Sequence, residues 1–127
     1  MIKVKEIISK RNIFILPKSL RHGFAQMPRP VLRYPGLSLN SKATYCLLLS
    51  YAWQDNFCFP GQDKMAQELG ITGRSVRKYL AELKKHKLID WKKRGYSKTN
   101  NYYILSVPDV IIKAYEKNHQ SGTYVPH

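Results

Sequence analysis

Acidic residues are scarce in this chain of 127 residues: eight Asp and Glu stand against 22 Lys and Arg, for a formal charge of +14 at pH 7. So few carboxylates leave little material for acid–base catalysis, and no nucleophile–base pair, paired carboxylate or phosphate-cradling glycine loop is present. Cysteine is limited to Cys46 and Cys58, too few for a disulfide framework or a four-ligand zinc site. Both are expected to be reduced and buried as small hydrophobes. His22, His86, His119 and His127 are scattered without ligand spacing, so no metal and no cofactor is expected. Long apolar runs are missing too. The richest, Tyr45 to Trp53, is broken by Ser50 and falls well short of the roughly 18 residues that cross a bilayer. The N-terminus, Met1-Ile-Lys-Val-Lys-Glu6, has no continuous apolar core of the kind a secretion signal needs. A cytoplasmic, non-enzymatic protein without a membrane partner is the expectation.

What is present is a folded chain with a basic surface. A hydrophobic content of 43% argues against disorder along the whole length. Residues 1–36 hold eight bases and one acid, residues 37–107 hold twelve and five, and residues 108–127 balance at two and two. Within the middle part, Arg74 to Lys98 carries ten bases against Glu82 and Asp90 alone. That stretch also has regular apolar spacing, which makes it a basic face of a folded unit. Either a solvated surface or a polyanion-binding one fits the charge, and only the motif can choose between them.

Three divisions follow: a basic N-terminal arm over residues 1–36, a domain over 37–107, and a terminal helix with a tail over 108–127. In the arm, a helix at 3–10 and a strand at Ile13-Phe14-Ile15-Leu16 are expected. Pro28, Pro30 and Pro35 favour an extended crossing between Gly23 and Gly36. Ser38 or Asn40 can cap a helix over Ser41–Trp53, whose few charges predict burial on most sides. Phe57-Cys58-Phe59 reads as a short strand before Pro60, and Gln62–Leu69 as a second helix. Gly70 breaks that helix and Thr72 caps a third, about Gly73 to His86. In this third helix Val76, Tyr79, Leu80 and Leu83 form one apolar stripe. Leu88–Lys93 and Asn101–Ser106 read as two strands joined by the polar turn Arg94–Asn100, a hairpin with a basic tip. Pro108 and Asp109 open the terminal helix, expected to run to about Asn118, and Ser121 to His127 reads as a frayed end.

The second and third helices match a helix–turn–helix position by position. Ala66 is small where the helices touch, and Gly70 supplies the positive φ of the turn. Met65, Leu69, Ile71, Val76 and Leu80 fill the angle between them. The third helix opens on polar residues, as it must to enter a major groove. Those residues are Thr72, Gly73, Arg74, Ser75, Arg77 and Lys78. Glycine and hydroxyl positions allow close approach, while arginine grips phosphate or binds the O6/N7 edge of guanine in bidentate fashion. The hairpin makes the motif a winged one, with Lys92, Lys93, Arg94, Tyr96 and Lys98 spaced to reach a neighbouring backbone. Tyr96 either stacks on sugar or packs on its own loop. Trp53 and Trp91 are expected in the core, and Tyr102 and Tyr103 point to opposite faces of their strand. Basic arms beside such motifs enter the minor groove, which brings in Arg21, Arg29 and Arg33.

Gly23 to Leu105 resembles the winged helix–turn–helix family found at the N-terminus of many plasmid, phage and conjugative-element replication initiators. The resemblance rests on Leu37-Ser-Leu-Asn-Ser-Lys-Ala-Thr-Tyr-Cys-Leu-Leu-Leu49, Phe59-Pro60, Ser75-Val-Arg-Lys-Tyr-Leu-Ala-Glu-Leu83 and Gly95-Tyr-Ser-Lys-Thr-Asn-Asn-Tyr-Tyr103. It implies an α+β, mainly α fold: a three-helix core plus a β-hairpin wing, with a basic arm and a short C-terminal helix. It also implies double-stranded DNA as partner, in replication initiation or in transcriptional regulation, since related domains serve both. Initiators of this kind continue into further domains, so either a small stand-alone DNA binder or part of a larger initiator is expected. The apolar run Ile13–Leu16 needs cover in water, from a partner or from the domain itself; a homodimer is expected, with the first helix, the arm or the terminal helix as its surface, and replication or transposition proteins as further partners. Two alternatives stay open: a winged-helix module for protein contacts, and an RNA or single-strand binder that stacks bases on exposed tyrosines.

Overall fold

The structure, a computed structural model, describes residues 23–52, 57–58, 60–95 and 99–119. The helix expected at 3–10, the strand at 13–16, Trp53 and the tail from Ser121 lie outside the described residues, as do Arg21, Tyr96 and Lys98. Described helices are α1 (Arg29–Leu32), α2 (Leu39–Tyr51), α3 (Gln62–Leu69), α4 (Gly73–Lys85) and α5 (Asp109–His119). Strands are β1 (Phe57–Cys58), β2 (Ile89–Lys93) and β3 (Asn100–Ile104), joined antiparallel in the order β1-β3-β2.

The proline-rich crossing is not wholly extended. Pro28 caps α1 with φ −59° and Pro30 stands in its first turn. A missing N–H costs nothing there, because first-turn donors have no helical partner, and the ring presets φ. The prolines therefore start a short helix where the sequence suggested an extended segment.

Ser38 caps α2 by accepting the Ser41 N–H at 3.2 Å. Ser41, Thr44, Tyr45 and Leu48 form its buried face, and the Thr44 hydroxyl donates to the Asn40 carbonyl at 2.8 Å. The expectation of burial on most sides is too strong: Cys46, Leu47 and Leu49 are only half-buried and Leu39 is 80% exposed. Cys46 is thus less covered than a core cysteine, and the side chain of Cys58 is outside the described residues. The apolar composition of α2 exceeds what one face of the domain can cover.

The turn between α3 and α4 is built as the sequence requires. Gly70 has φ +70°, and the Ile71 N–H closes the end of α3 on the Ala66 carbonyl at 3.0 Å. Thr72 then accepts the Ser75 N–H at 3.1 Å and starts α4. Val76, Leu80 and Leu83 of α4 are buried against Met65, Ala66, Tyr45 and Leu48 in one cluster. The far end of α4 turns at Lys87, which takes φ +61° without being glycine, while the Leu88 N–H bonds the Leu83 carbonyl at 3.0 Å.

In the hairpin, Ile89 faces Ile104, Trp91 faces Tyr102 and Lys93 faces Asn100. Phe57 and Cys58 add β1 to the other edge of β3, opposite Tyr103 and Tyr102. Tyr102 points into the core and Tyr103 is half-buried on the opposite face. Trp91 is only half-buried, with its ring edge-on to Tyr102 at 6.0 Å between centroids. Val31 of α1 and Ile111 of α5 are fully buried and join the same cluster, so both flanking helices contribute to the core of the domain.

Candidate nucleic-acid interface

Burial sorts the residues of α4 cleanly. Thr72, Arg74, Arg77 and Lys78 are exposed, while Gly73 and Ser75 are half-buried at the helix start. Ser75 is held there by the cap, with its hydroxyl 3.0 Å from that of Thr72. Arg74, Arg77, Lys78, Ala81 and Lys85 are all exposed and recur at helical spacing, giving a basic strip opposite Val76, Leu80 and Leu83. Lys85 and Ala81 extend the strip beyond the residues singled out from the sequence; their spacing from Arg74 and Lys78 was the available signal. Lys84 is turned away, pairing with Asp90 at 3.4 Å and lying 4.4 Å from the centre of the Trp91 ring. That contact ties α4 to the hairpin.

The hairpin places Lys92, Lys93 and Arg94 in solvent, and Arg94 donates to the Thr99 hydroxyl at 3.2 Å. Tyr96 and Lys98, named with them from the sequence, are outside the described residues. Midway along the hairpin the Tyr102 hydroxyl accepts from Gln62 Nε2 at 3.1 Å, which fixes β3 against the start of α3. Beside this bond is an open cleft of about 380 Å³ lined by Gly61, Gln62, Asp63, Thr99, Asn100 and Tyr102. With 1% of its surface exposed, Tyr102 is not available for stacking on a base.

Arg29 on α1 and Arg33 at its C-terminal cap are exposed. Tyr34, next to Arg33, packs edge-on against His86 at the C-terminal end of α4, with ring centroids 6.0 Å apart. A helix the length of α4 separates its two ends by about 18 Å. Among the described residues no group of His, Cys, Asp and Glu is placed to hold a metal ion, and no helix is long and apolar enough to cross a membrane.

Electrostatically, α4 itself contributes no acid to the N-terminal half of the strip. No acid lies in the first turn of α4. Glu82, on the same helix, is turned toward Ser38. Burial pushes its carboxyl up, but hydrogen bonds from the Ser38 backbone and from the Ser41 and Ser38 hydroxyls, with the charge of His86, outweigh this and leave it below the ordinary glutamate range. Asp90 is also held low, by the Trp91 backbone N–H first and then by Lys84. Among the described residues, Asp63 of α3 is an acid that does lie near the start of α4, beside Gly73.

Comparisons with known proteins bear on the fold. Residues 36–89 match the family model of a helix-turn-helix domain. No curated protein matches the chain in sequence. A solved structure described as the N-terminal domain of a DNA-binding protein shares the fold with a TM-score of 0.55 and 20% identity, over 99% of this chain and 98% of that one. A Rep–DNA complex matches with a TM-score of 0.54 and 18% identity, over 100% and 99%. An MDR initiator matches with 0.51 and 18%, over 95% and 99%. The family match over residues 36–89 and the hairpin that follows it give this chain a winged helix–turn–helix domain.

Proposed function

We propose that the chain binds a specific site on double-stranded DNA, with the start of α4 in the major groove and the hairpin on the adjoining backbone. The observation that carries this is the exposed strip Arg74, Arg77, Lys78 and Lys85 on a helix whose opposite side is core. Thr72, Gly73 and Ser75 keep the entering end small, and Arg77 reads guanine. Lys92, Lys93 and Arg94 neutralise phosphate; Lys98, which the sequence assigns to the same hairpin, adds a further charge, and Tyr96 a contact to sugar. Arg21, Arg29 and Arg33 belong to a second, separate contact if the arm follows the duplex.

Replication initiation or transcriptional control on a mobile element is the process this fits, in the cytoplasm and by binding rather than catalysis. The likeness of fold to a Rep–DNA complex and to an MDR initiator supports it. A homodimer suits a site with two half-sites. Leu32 on α1 and Val110 on α5, 51% and 64% exposed on two helices that pack together, supply apolar surface for pairing.

Selection from a randomised duplex pool, followed by footprinting on DNA flanking the coding region, tests this. Enrichment of one sequence and protection at a matching local site are expected. Equal affinity for every duplex would refute site-specific readout, and no complex at low salt would favour the protein-contact alternative.

A further inference from the structure

Asp63 and Arg77 come from different helices and converge over Gly73. A Cβ built on Gly73 would stand 3.6 Å from Arg77 Nη1 and 3.6 Å from Asp63 Oδ1. Both side chains are exposed, and no direct ion pair joins them. Asp63 occupies the first turn of α3, where the helix dipole favours its charge. Among the described residues it is also the one acid lining the cleft between α3 and β3.

A carboxylate on a surface facing phosphate weakens binding to every duplex unless it acts on a cation. The cation it faces is Arg77, because the neighbouring Lys64 is directed toward the Tyr51 ring, 5.6 Å from its centre. An arginine that reads guanine must hold its planar fork in one orientation, and a carboxylate on the remaining N–H groups fixes that plane. Gly73 leaves the space over the helix start in which the two groups meet.

We propose that Asp63 is a positioning residue for Arg77: when DNA docks, its carboxylate holds the guanidinium from behind and sets the fork toward the O6/N7 edge of guanine. This rests on the site-specific reading above and names the device that makes one of its contacts selective. Asp63 lowers general affinity through its charge and raises discrimination through Arg77.

The test uses the full chain with a randomised duplex pool, then binding to the selected duplex, its single-base variants and a random duplex. Asp63→Asn is expected to reduce the preference for guanine at the Arg77-dependent position by about fivefold. Its affinity for random duplex should hold or rise, since one repulsive charge is gone. In an Arg77→Ala background Asp63→Asn should leave that position unchanged; with Arg77 intact, Asp63→Glu should keep part of the preference that Asp63→Asn loses. Thermal midpoints of the variants separate a readout effect from loss of fold. A uniform gain on all sequences would overturn the proposal, leaving Asp63 as a repulsive charge only. A loss of preference that persists without Arg77 would also overturn it, by making Asp63 a direct base contact. A wild-type chain that enriches no sequence removes the site-specific reading and this proposal together, whereas an enriched site indifferent to Asp63→Asn removes this one alone.

Discussion

Glu82 of α4 accepts two hydrogen bonds from Ser38, from its backbone N–H at 2.8 Å and from its hydroxyl at 3.0 Å. Ser38 is the residue that caps α2, so one carboxylate locks the start of α2 to the side of the helix that carries the basic strip. A helix N-terminus favours a negative charge, and the arrangement serves both helices at once.

Glu82→Ala should lower stability by about 1–2 kcal/mol, since it removes charge-assisted bonds at a half-exposed position. Glu82→Gln should lose less, because an amide oxygen still accepts from Ser38. Urea denaturation with an unchanged m-value measures both.

Because the Glu82 carboxyl titrates below its unfolded value of 4.5, it binds fewer protons in the folded state near that pH. Its stabilisation is complete above 4.5 and is lost as pH falls through the lowered folded value. Asp90 shifts the same way. The drop in thermal midpoint below pH 4.5 should therefore be shallower in Glu82→Gln than in the wild type. An equal drop in both would exclude Glu82 as a contributor.

Lys87 holds a left-handed conformation at φ +61° that its Cβ disfavours. Lys87→Gly should stabilise the domain by about 0.5–1 kcal/mol, provided the gain in the folded state exceeds the added freedom of the unfolded chain. Calorimetry reads it directly, and a fall in midpoint would show that Lys87 makes a compensating contact.

Ile111 is fully buried on α5 and shares the core cluster with Val31. Ile111→Ala should cost about 2–4 kcal/mol by leaving a cavity. A cost below about 1 kcal/mol would mean that α5 is not part of the cooperative unit.

Much of this architecture was legible in the chain. Gly70 and the cap residue Thr72 fixed the turn, and the Val76–Leu80–Leu83 stripe fixed which side of α4 faces out. Those are local signals, set by φ preference and helical period. Glu82 was not legible, because its partner Ser38 lies 44 positions away and only the packing of α2 on α4 joins them. The same holds for Asp63, whose relation to Arg77 exists only once α3 and α4 cross. At Lys87 the sequence offers no glycine to announce the left-handed turn, and in α1 the prolines read as breakers although two of them start a helix.

Arg77→Ala should weaken binding to the selected duplex by about 1–3 kcal/mol and relax preference at one position. Lys93→Ala should weaken all duplexes alike and reduce the salt slope by about 1. If about six phosphates are neutralised, log K for the wild type should fall by roughly five per decade of salt. Fluorescence anisotropy across a salt series distinguishes the two variants.

Replacing the guanines of the selected duplex with 7-deazaguanine removes the N7 acceptor from the major-groove edge and leaves pairing and the minor groove intact. If Arg77 enters that groove, wild-type affinity should fall by about 1 kcal/mol or more at one guanine, and Arg77→Ala should not respond to the same change. Unaltered wild-type affinity at every substituted guanine would mean that α4 does not read the major groove there.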